Sequence, residues 1–245
     1  MEDNLEKEVE ALVKKGKHFL QFGELSAAEE VLKSALKIDS SNVQAWAVLA
    51  QVYFDSEKLP KARECYTEAV QTDPEASYIW AKLGTLEYIM GEFKDAVNSL
   101  KSYRKYGGDE FKHMLTLARA ALELGDCSTV LSVTSELIEI DEDVYEVWEL
   151  RGICQAKTNK FNAACTSLNM AIDLHPESIN AMNHVGDLLY DIENYARAAD
   201  FYALSLEVQP TQPSILYRYG YSLWSEDKWS EAIEVLEKYI ELMPE

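Results

Sequence analysis

The sequence predicts an all-α fold, a solenoid of seven tandem helix-turn-helix repeats, and three observations support this prediction. One pattern restarts every 34 residues from Val9 onward, without an insertion. Inside each unit, apolar residues recur at steps of three and four, which is the spacing of a helical face. No segment has the alternation of apolar and polar residues that indicates a strand. A period of this length is typical of stacked helical hairpins.

Three positions define the repeating unit. Its eighth residue is always small: Gly16, Ala50, Gly84, Ala118, Gly152, Gly186 and Gly220. Its twentieth residue is Ala in every unit except the fourth, which has Val130, and its thirty-second is Pro in four units. A small residue at a fixed interval indicates that two helix backbones approach closely, and a recurring Pro indicates a helix end.

The unit from Val43 to Ala76 shows the expected local structure. One helical face contains Trp46, Leu49, Ala50 and Tyr53, and a second contains Ala62, Tyr66 and Ala69. Pro60 suits the first turn of the second helix, because its missing N–H would have no partner there. In the first unit, Ser26 and Glu29 have the spacing of a capping box, which indicates a helix start at the same point of the period.

These residues resemble the tetratricopeptide repeat family, whose 34-residue pattern is Trp, Leu-Gly, Tyr, Ala, an aromatic residue, Ala and Pro. Trp80 to Gly84 and Trp148 to Gly152 match the start of this pattern. The resemblance covers residues 9–245 and implies a right-handed superhelical array. We expect a polar N-terminal lead at 1–8, followed by repeats at 9–42, 43–76, 77–110, 111–144, 145–178, 179–212 and 213–245.

The middle of the array departs from the pattern. Tyr103 replaces a small residue, and Gly107-Gly108 replaces the usual Asp-Pro helix stop. A ring cannot enter a close helix crossing unless the helices move apart. We therefore predict a change of curvature near 107–108.

Charge and hydropathy exclude several classes of function. The chain has 23 Lys and Arg against 43 Asp and Glu, a net charge of −20, which disfavours nucleic acid as a partner. Charged residues interrupt every apolar stretch before it reaches the ~20 residues of a membrane span, so we expect no membrane insertion. The acidic first residues contain no apolar signal segment, so a cytoplasmic location is expected.

Nothing in the sequence indicates catalysis. The four cysteines and four histidines are scattered, with no CxxC pair and no metal-binding or nucleotide-binding motif. Buried thiols explain the cysteines better than a metal or redox site does. We expect a protein that is not an enzyme and that has no cofactor and no metal.

The family resemblance implies which residues face a partner. In that family, the second, fifth, ninth, twelfth and thirteenth residues of each first helix face the concave groove. In this register, Tyr78 is the second residue of its repeat. The twelfth residues of the repeats form an apolar row that includes Phe54, Tyr88, Leu122 and Tyr190. Rings at the twelfth position also serve packing, so both interpretations of the row stay open.

The last unit has an additional aromatic stripe. Tyr217, Tyr221 and Trp224 follow each other at steps of four and three, so they share one helical face. Amphipathic rings often anchor binding surfaces. The alternative is that this apolar surface is covered by a following cap, as the terminal repeats of solenoids require.

A second candidate cluster is basic. Lys82, Lys112 and Arg119 lie at inward or groove positions of adjoining units and suit a carboxylate of a partner peptide. Salt bridges to neighbouring Asp and Glu are the alternative.

The leading functional prediction is a scaffold or adaptor that binds a peptide or helix of a partner protein in its groove. One alternative is a structural subunit that self-assembles through the uncapped ends of the repeat array, with the C-terminal repeat as a contact of a homo-oligomer. The other is an interaction module of a longer protein, including a role like that of a secretion chaperone.

Overall fold

A computed structural model describes residues 2–243 of the chain, with side chains from Leu5 onward. The predicted helix stop at Pro244 lies outside these residues, as do residue 1 of the predicted range 1–8 and residues 244–245 of the predicted range 213–245. The predicted lead is helical from Glu2 and continues into the first helix. Two compact units are present, the first ending at Leu124 and the second beginning at Gly125.

Every regular element among the described residues is an α-helix, so the all-α prediction is confirmed. The first unit contains α1 (Glu2–Gln21), α2 (Leu25–Ile38), α3 (Val43–Asp55), α4 (Leu59–Thr72), α5 (Ser77–Ile89), α6 (Phe93–Lys105) and α7 (Phe111–Glu123). The second contains α8 (Cys127–Ile140), α9 (Tyr145–Lys157), α10 (Phe161–Leu174), α11 (Ile179–Asp191), α12 (Tyr195–Val208), α13 (Pro213–Ser225) and α14 (Trp229–Leu242). Within each unit, consecutive helices pack as antiparallel hairpins, for example α5 with α6 and α9 with α10.

The turn inside each repeat depends on one residue with a left-handed backbone. The fifteenth residue of the unit has a positive φ in all seven repeats: Gly23, Glu57, Gly91, Gly125, Asn159, Glu193 and Asp227. In six of these repeats the next residue donates its N–H back to the eleventh, as Lys58 does to the carbonyl of Tyr53 at 2.8 Å. This bond satisfies a carbonyl that the helix end would otherwise leave unpaired.

The small eighth residue lets the two helices of a hairpin approach each other, as predicted. A Cβ on Gly84 would lie 2.6 Å from Leu100, and one on Gly186 would lie 2.6 Å from the ring of Tyr202. Leu100 and Tyr202 both occupy the twenty-fourth position, on the second helix, and both are fully buried. The same contact therefore recurs in both units, between a residue without a side chain and a large one.

Three tryptophans secure the loop that precedes their own helix. The indole N–H groups of Trp46, Trp80 and Trp148 donate to the carbonyls of residues 40, 74 and 142, at 2.8–2.9 Å. All three rings are half-buried. These tryptophans therefore connect one repeat to the next by a backbone contact.

Two helix-end predictions had different outcomes. Pro60 lies in the first turn of α4, as predicted. The capping box in the first unit does not form, because the N-cap of α2 is Glu24, which makes no side-chain bond to the helix. The Glu29 carboxylate instead accepts from Lys33 at 2.6 Å and from the Tyr53 hydroxyl at 3.1 Å.

The irregular middle of the array accommodates the Tyr103 ring with the help of glycine. A Cβ on Gly108 would lie 1.9 Å from that ring, so the loop passes over the ring only because residue 108 has no side chain. The Tyr103 hydroxyl accepts from the backbone N–H of Glu110 at 2.7 Å. The change of curvature near 107–108 stays a prediction.

Candidate functional site

The predicted groove residues of the first unit lie on three successive first helices. Phe54 on α3, Tyr88 on α5 and Leu122 on α7 are each half-buried. Tyr78, in the first turn of α5, is 52% exposed. Among these four residues, only Tyr78 therefore presents most of its ring to solvent.

Rings at the twelfth position pack across the hairpin turn. Tyr88 contacts Phe93, the first residue of α6, with a ring-centroid separation of 5.8 Å. Tyr190 contacts Tyr195 at 5.4 Å and Trp224 contacts Trp229 at 5.7 Å, in the corresponding places of the second unit. The packing interpretation of this row therefore describes part of what these rings do.

In the second unit the rings join into one surface, which we call the aromatic cluster. It consists of Tyr190, Tyr195, Tyr221, Trp224 and Trp229. Tyr221 connects the two hairpins, because its ring centroid lies 5.6 Å from that of Tyr190 and 5.5 Å from that of Trp224. Both tryptophans are 50% exposed. Packing within the hairpins therefore leaves half of each indole surface available.

The predicted aromatic stripe lies on α13, the first helix of the last repeat, and its residues contact two different groups of rings. Tyr221 and Trp224 belong to the aromatic cluster. Tyr217 pairs instead with Tyr239 of α14, at 5.7 Å between ring centroids, and is 50% exposed. Tyr217 thus lies beside the outer surface of the last hairpin.

A partly buried polar network lies beside the aromatic cluster. Asp187 on α11 accepts from the Tyr202 hydroxyl at 2.7 Å and from the Arg218 guanidinium at 2.9 Å. Burial and the neighbouring Asp187 carboxylate raise the pKa of Tyr202, so its phenol stays protonated and donates. The Arg218 guanidinium also lies 5.4 Å from the centroid of the Tyr190 ring. The network therefore fixes the guanidinium of Arg218 against one ring of the cluster.

The predicted basic residues lie around a polar cavity of the first unit. Lys82 and Lys112 both line this cavity of about 320 Å³, together with Tyr78. The Lys82 ammonium donates to the Gln51 side chain at 2.8 Å, and burial lowers the pKa of Lys82. Lys112 pairs with Glu110 at 3.0 Å. Two of the three predicted basic residues are thus brought together, each with a polar partner.

Arg119 lies two helical turns beyond Lys112 on α7 and is half-buried. His113 completes the cavity wall next to Lys112. Burial, with a contribution from Lys112, lowers the pKa of His113, so its imidazole is neutral at pH 7. At that pH, the positive charge at the cavity comes from its lysines.

The outer surface of α14 is apolar and open. Ile233 is 58% exposed, whereas Ala199, at the same position of the preceding repeat, is 5% exposed. Ile240 is 63% exposed, whereas its counterpart Val70 is 3% exposed. Ala199 and Val70 each pack in an apolar cluster with residues of the next hairpin.

The described residues contain no group of three His, Cys, Asp or Glu side chains placed to hold a metal ion. All four cysteines are free thiols. Burial raises the pKa of Cys65 to about 12, so this thiol is protonated at pH 7 and is not a nucleophile. Across residues 2–243, no helix combines the length and the apolar character that crossing a bilayer requires.

Four residues of the second unit's surface were missed by the sequence reasoning. Tyr195 and Trp229 occupy the seventeenth position, which is apolar in every unit, and this recurrence was the signal that could have identified them. Asp187 and Arg218 lie in different repeats, at unrelated positions of the period. No periodic signal pairs them.

Comparisons with known proteins agree on one family. Models described as tetratricopeptide repeat match residues 19–86, 146–178 and 186–245. BBSome complex member BBS4 from Bos taurus is 22% identical over 192 residues, which is 78% of this chain and 37% of that protein. The peroxisomal targeting signal receptor of Kluyveromyces lactis is 23% identical over 211 residues, 83% of this chain and 36% of the receptor. The chain spans little more than a third of the length of these two relatives.

A solved structure matches the fold. YrrB, described as a TPR protein with an unusual peptide-binding site, superposes with a TM-score of 0.67 at 17% identity, covering 77% of this chain and 97% of YrrB. At this level of identity, the similarity concerns the fold.

Proposed function

This chain belongs to the tetratricopeptide repeat family, and from that premise we propose that it is a non-enzymatic scaffold or adaptor. It binds a peptide or a helix of a partner protein in the concave groove that this family forms from its first helices. The observation that carries the proposal is the aromatic cluster, in which Trp224 and Trp229 are each 50% exposed although they contact each other. Half-exposed amphipathic rings beside a polar network are typical anchors of protein interfaces.

The relatives support a peptide as the ligand. One is a receptor for a targeting signal and another is described as having a peptide-binding site. A second support comes from energetics. Burying two or three rings yields ~1.5–3 kcal/mol each, and after the cost of ordering the peptide this corresponds to micromolar affinity or so.

The first unit contributes polar recognition in this proposal. Lys82 and Lys112 line one cavity beside the exposed ring of Tyr78. A carboxylate of the partner is the complementary group, and it would compete with Gln51 and Glu110 for the two ammonium groups. Phe54, Tyr88, Leu122 and Arg119 line the same side of the first helices in the predicted register.

The proposal includes a cytoplasmic location and excludes catalysis and nucleic acid as a partner. Four free thiols are consistent with a reducing compartment. The net charge of −20 opposes phosphate binding. A chaperone-like role, or a role as an interaction module within a longer protein, falls within the same proposal, because each uses the same groove.

A peptide library tests the proposal. Random 12-residue peptides displayed on phage are selected against the folded chain, and the selected peptides are measured by calorimetry. We expect Tyr190→Ala and Trp224→Ala to weaken binding, while Leu204→Ala, which removes an exposed apolar side chain of the second helix α12, leaves it unchanged. A library that yields no binder, or binders that are equally sensitive to Leu204→Ala, would contradict the groove as the site.

A second candidate function is self-assembly, and the exposed face of α14 favours it. Ile233 and Ile240 form an apolar surface on which a second copy would bury apolar area. Light scattering against concentration is the test. An association that is lost in Ile233→Glu supports the structural subunit, whereas a monomer at every concentration contradicts it. A further segment of a longer chain that covers the same face would also give a monomer.

A further inference from the structure

Acidic turns border the aromatic cluster. The turn between Tyr190 and Tyr195 contains Asp191 and Glu193, and the turn between Trp224 and Trp229 contains Glu226 and Asp227. All four carboxylates are exposed. Lys228 is the single basic residue of the two turns. Because the rings at both ends of each turn are in contact, these carboxylates lie at the edge of the ring surface.

The cluster already holds one guanidinium. Arg218 lies 5.4 Å from the centroid of the Tyr190 ring and is held there by Asp187, at 2.9 Å. Cations are attracted to the faces of aromatic rings, and Trp is the strongest of these partners. Trp224 and Trp229 offer the same kind of face to solvent, since each is 50% exposed.

We propose that the aromatic cluster of the second unit binds an arginine side chain of the partner segment. The guanidinium lies against the exposed faces of Trp224 and Trp229, and the acidic turns supply the opposite charge. This inference rests on the proposed function and specifies its ligand, a peptide in which a basic residue occupies this end of the groove.

Charge decides between an arginine-bearing peptide and an apolar one. An apolar or proline-rich segment would use the rings but gain nothing from four exposed carboxylates. A cationic segment gains both from the rings and from the field of an acidic chain, which also speeds the encounter. Arginine is preferred over lysine because its planar guanidinium is more weakly hydrated and stacks on rings, and one guanidinium, that of Arg218, already lies 5.4 Å from the Tyr190 ring centroid.

Matched peptides test the inference directly. The probes are acetyl-Gly-Arg-Gly-Arg-Gly-amide and the same peptide with citrulline, which keeps the shape of arginine but carries no charge. Affinities are measured by calorimetry at about 50 mM salt, where screening is weak. We expect the arginine peptide to bind at least ~5-fold more tightly than the citrulline peptide, which is the ratio that one cation–ring contact gives. Equal affinity for the two peptides would overturn the proposal.

Two variants separate the ring face from apolar volume. Trp224→Leu retains an apolar side chain without the π face and should lower the affinity for the arginine peptide ~5-fold or more. Phe161→Ala is the matched control, because Phe161 occupies the position of Trp229 in an earlier hairpin and is 40% exposed. Circular dichroism verifies that each variant is folded. If Trp224→Leu retains the preference for arginine over citrulline, the inference is wrong.

The acidic edge has its own test. Glu193→Gln combined with Asp227→Asn should weaken the arginine peptide about 2- to 5-fold and reduce the salt dependence of its binding. An unchanged salt dependence would contradict a role for the two turns.

Peptides from the phage selection distinguish the two proposals. If they bind the groove but show neither a basic residue nor an effect of citrulline, then the proposed function holds and this inference fails.

Discussion

The twenty-first residue of the repeat, on the second helix, makes ionic contacts at two places in the first unit and an apolar contact in the second. In the first unit, Glu29 on α2 meets Lys58 at 3.4 Å, and Arg63 on α4 meets Glu92 at 2.9 Å. In the second, Ala199 takes the same place on α12 and packs in an apolar cluster with Leu223 of the next hairpin. Glu29, Arg63 and Ala199 each occupy the twenty-first position of their repeat.

This difference shows that the repeat determines where hairpins meet but not how. Ion pairs on the second helices of the first unit respond to pH and salt. In the second unit, the first helices carry the inter-hairpin contacts between rings, such as Tyr190 with Tyr221 at 5.6 Å. Because those contacts leave the two indoles half exposed, the second unit offers the more apolar binding surface.

The largest expected effect tests what the two units share. Gly84→Val and Gly186→Val each place atoms inside a side chain of the twenty-fourth position, since even a Cβ would lie 2.6 Å away. We expect each to lower the free energy of unfolding by about 2–3 kcal/mol, measured by urea denaturation. Gly91→Asn is the control, because an added Cβ there meets nothing. If only one of the two valine variants is destabilised, the hairpin cores of the two units are not equivalent.

The next variant breaks the charged junction of the first unit. Arg63→Met removes a guanidinium that lies 2.7 Å from Asp95 and 3.6 Å from the buried Glu87. We expect a loss of about 2 kcal/mol, because a buried carboxylate is left without its cation. Lys94→Met, at an exposed lysine of α6, should be near neutral.

The pH dependence of the Arg63→Met variant has a definite sign. Burial raises the pKa of Glu87, while Ser99 and Arg63 lower it. Without Arg63, one of the two groups that lower this pKa is lost, so the pKa of Glu87 rises further and the deficit should shrink as the pH falls from 7 to 5. A deficit that grows over this range would contradict the role given to Arg63.

A matched pair of tyrosines sharpens the comparison. Tyr202 donates to the Asp187 carboxylate at 2.7 Å, whereas Tyr66, at the same position of the first unit, donates to the Gln51 amide oxygen at 3.3 Å. Tyr202→Phe should lower the free energy of unfolding by about 1.5 kcal/mol and Tyr66→Phe by about 0.5 kcal/mol, since bonds to charged acceptors are stronger. Equal losses would show that the Asp187 network adds nothing.

The smallest effect concerns acid. Lys33 and Tyr53 hold the pKa of Glu29 at about 2, below the ordinary 4.5. A depressed pKa stabilises the fold above pH 4.5, and this contribution is lost as the pH falls towards 2. Because Lys33 is 51% exposed, we expect only about 0.5 kcal/mol. Glu29→Gln should lose less stability than the wild type between pH 5 and 2, and Glu30→Gln should behave as the wild type.

Features that repeat every 34 residues could be predicted from the sequence. The close approach at Gly84 and Gly186, the helix start at Pro60 and the all-α fold follow from which residue types each position tolerates. The signal is local, since each of these contacts lies within one hairpin.

Contacts between hairpins could not be predicted in this way. Asp187 and Arg218 are separated by 31 residues, so neither shares a repeat position with the other and both look like solvated charges. The aromatic cluster was only partly identified, because its rings are joined by Tyr221, which lies on a different hairpin from Tyr190 and Tyr195. The capping-box spacing at Ser26 failed for a related reason, since Tyr53 of the next repeat takes the Glu29 carboxylate.

The five tryptophans provide the most direct test of the proposed binding surface. The indole N–H groups of Trp46, Trp80 and Trp148 are bonded to backbone carbonyls, whereas Trp224 and Trp229 are half exposed in the aromatic cluster. Indole signals recorded by NMR during titration with a selected peptide should shift for Trp224 and Trp229 and stay in place for the other three. Shifts confined to Trp46, Trp80 and Trp148, or no shift in any indole of a saturated complex, would contradict binding at the aromatic cluster.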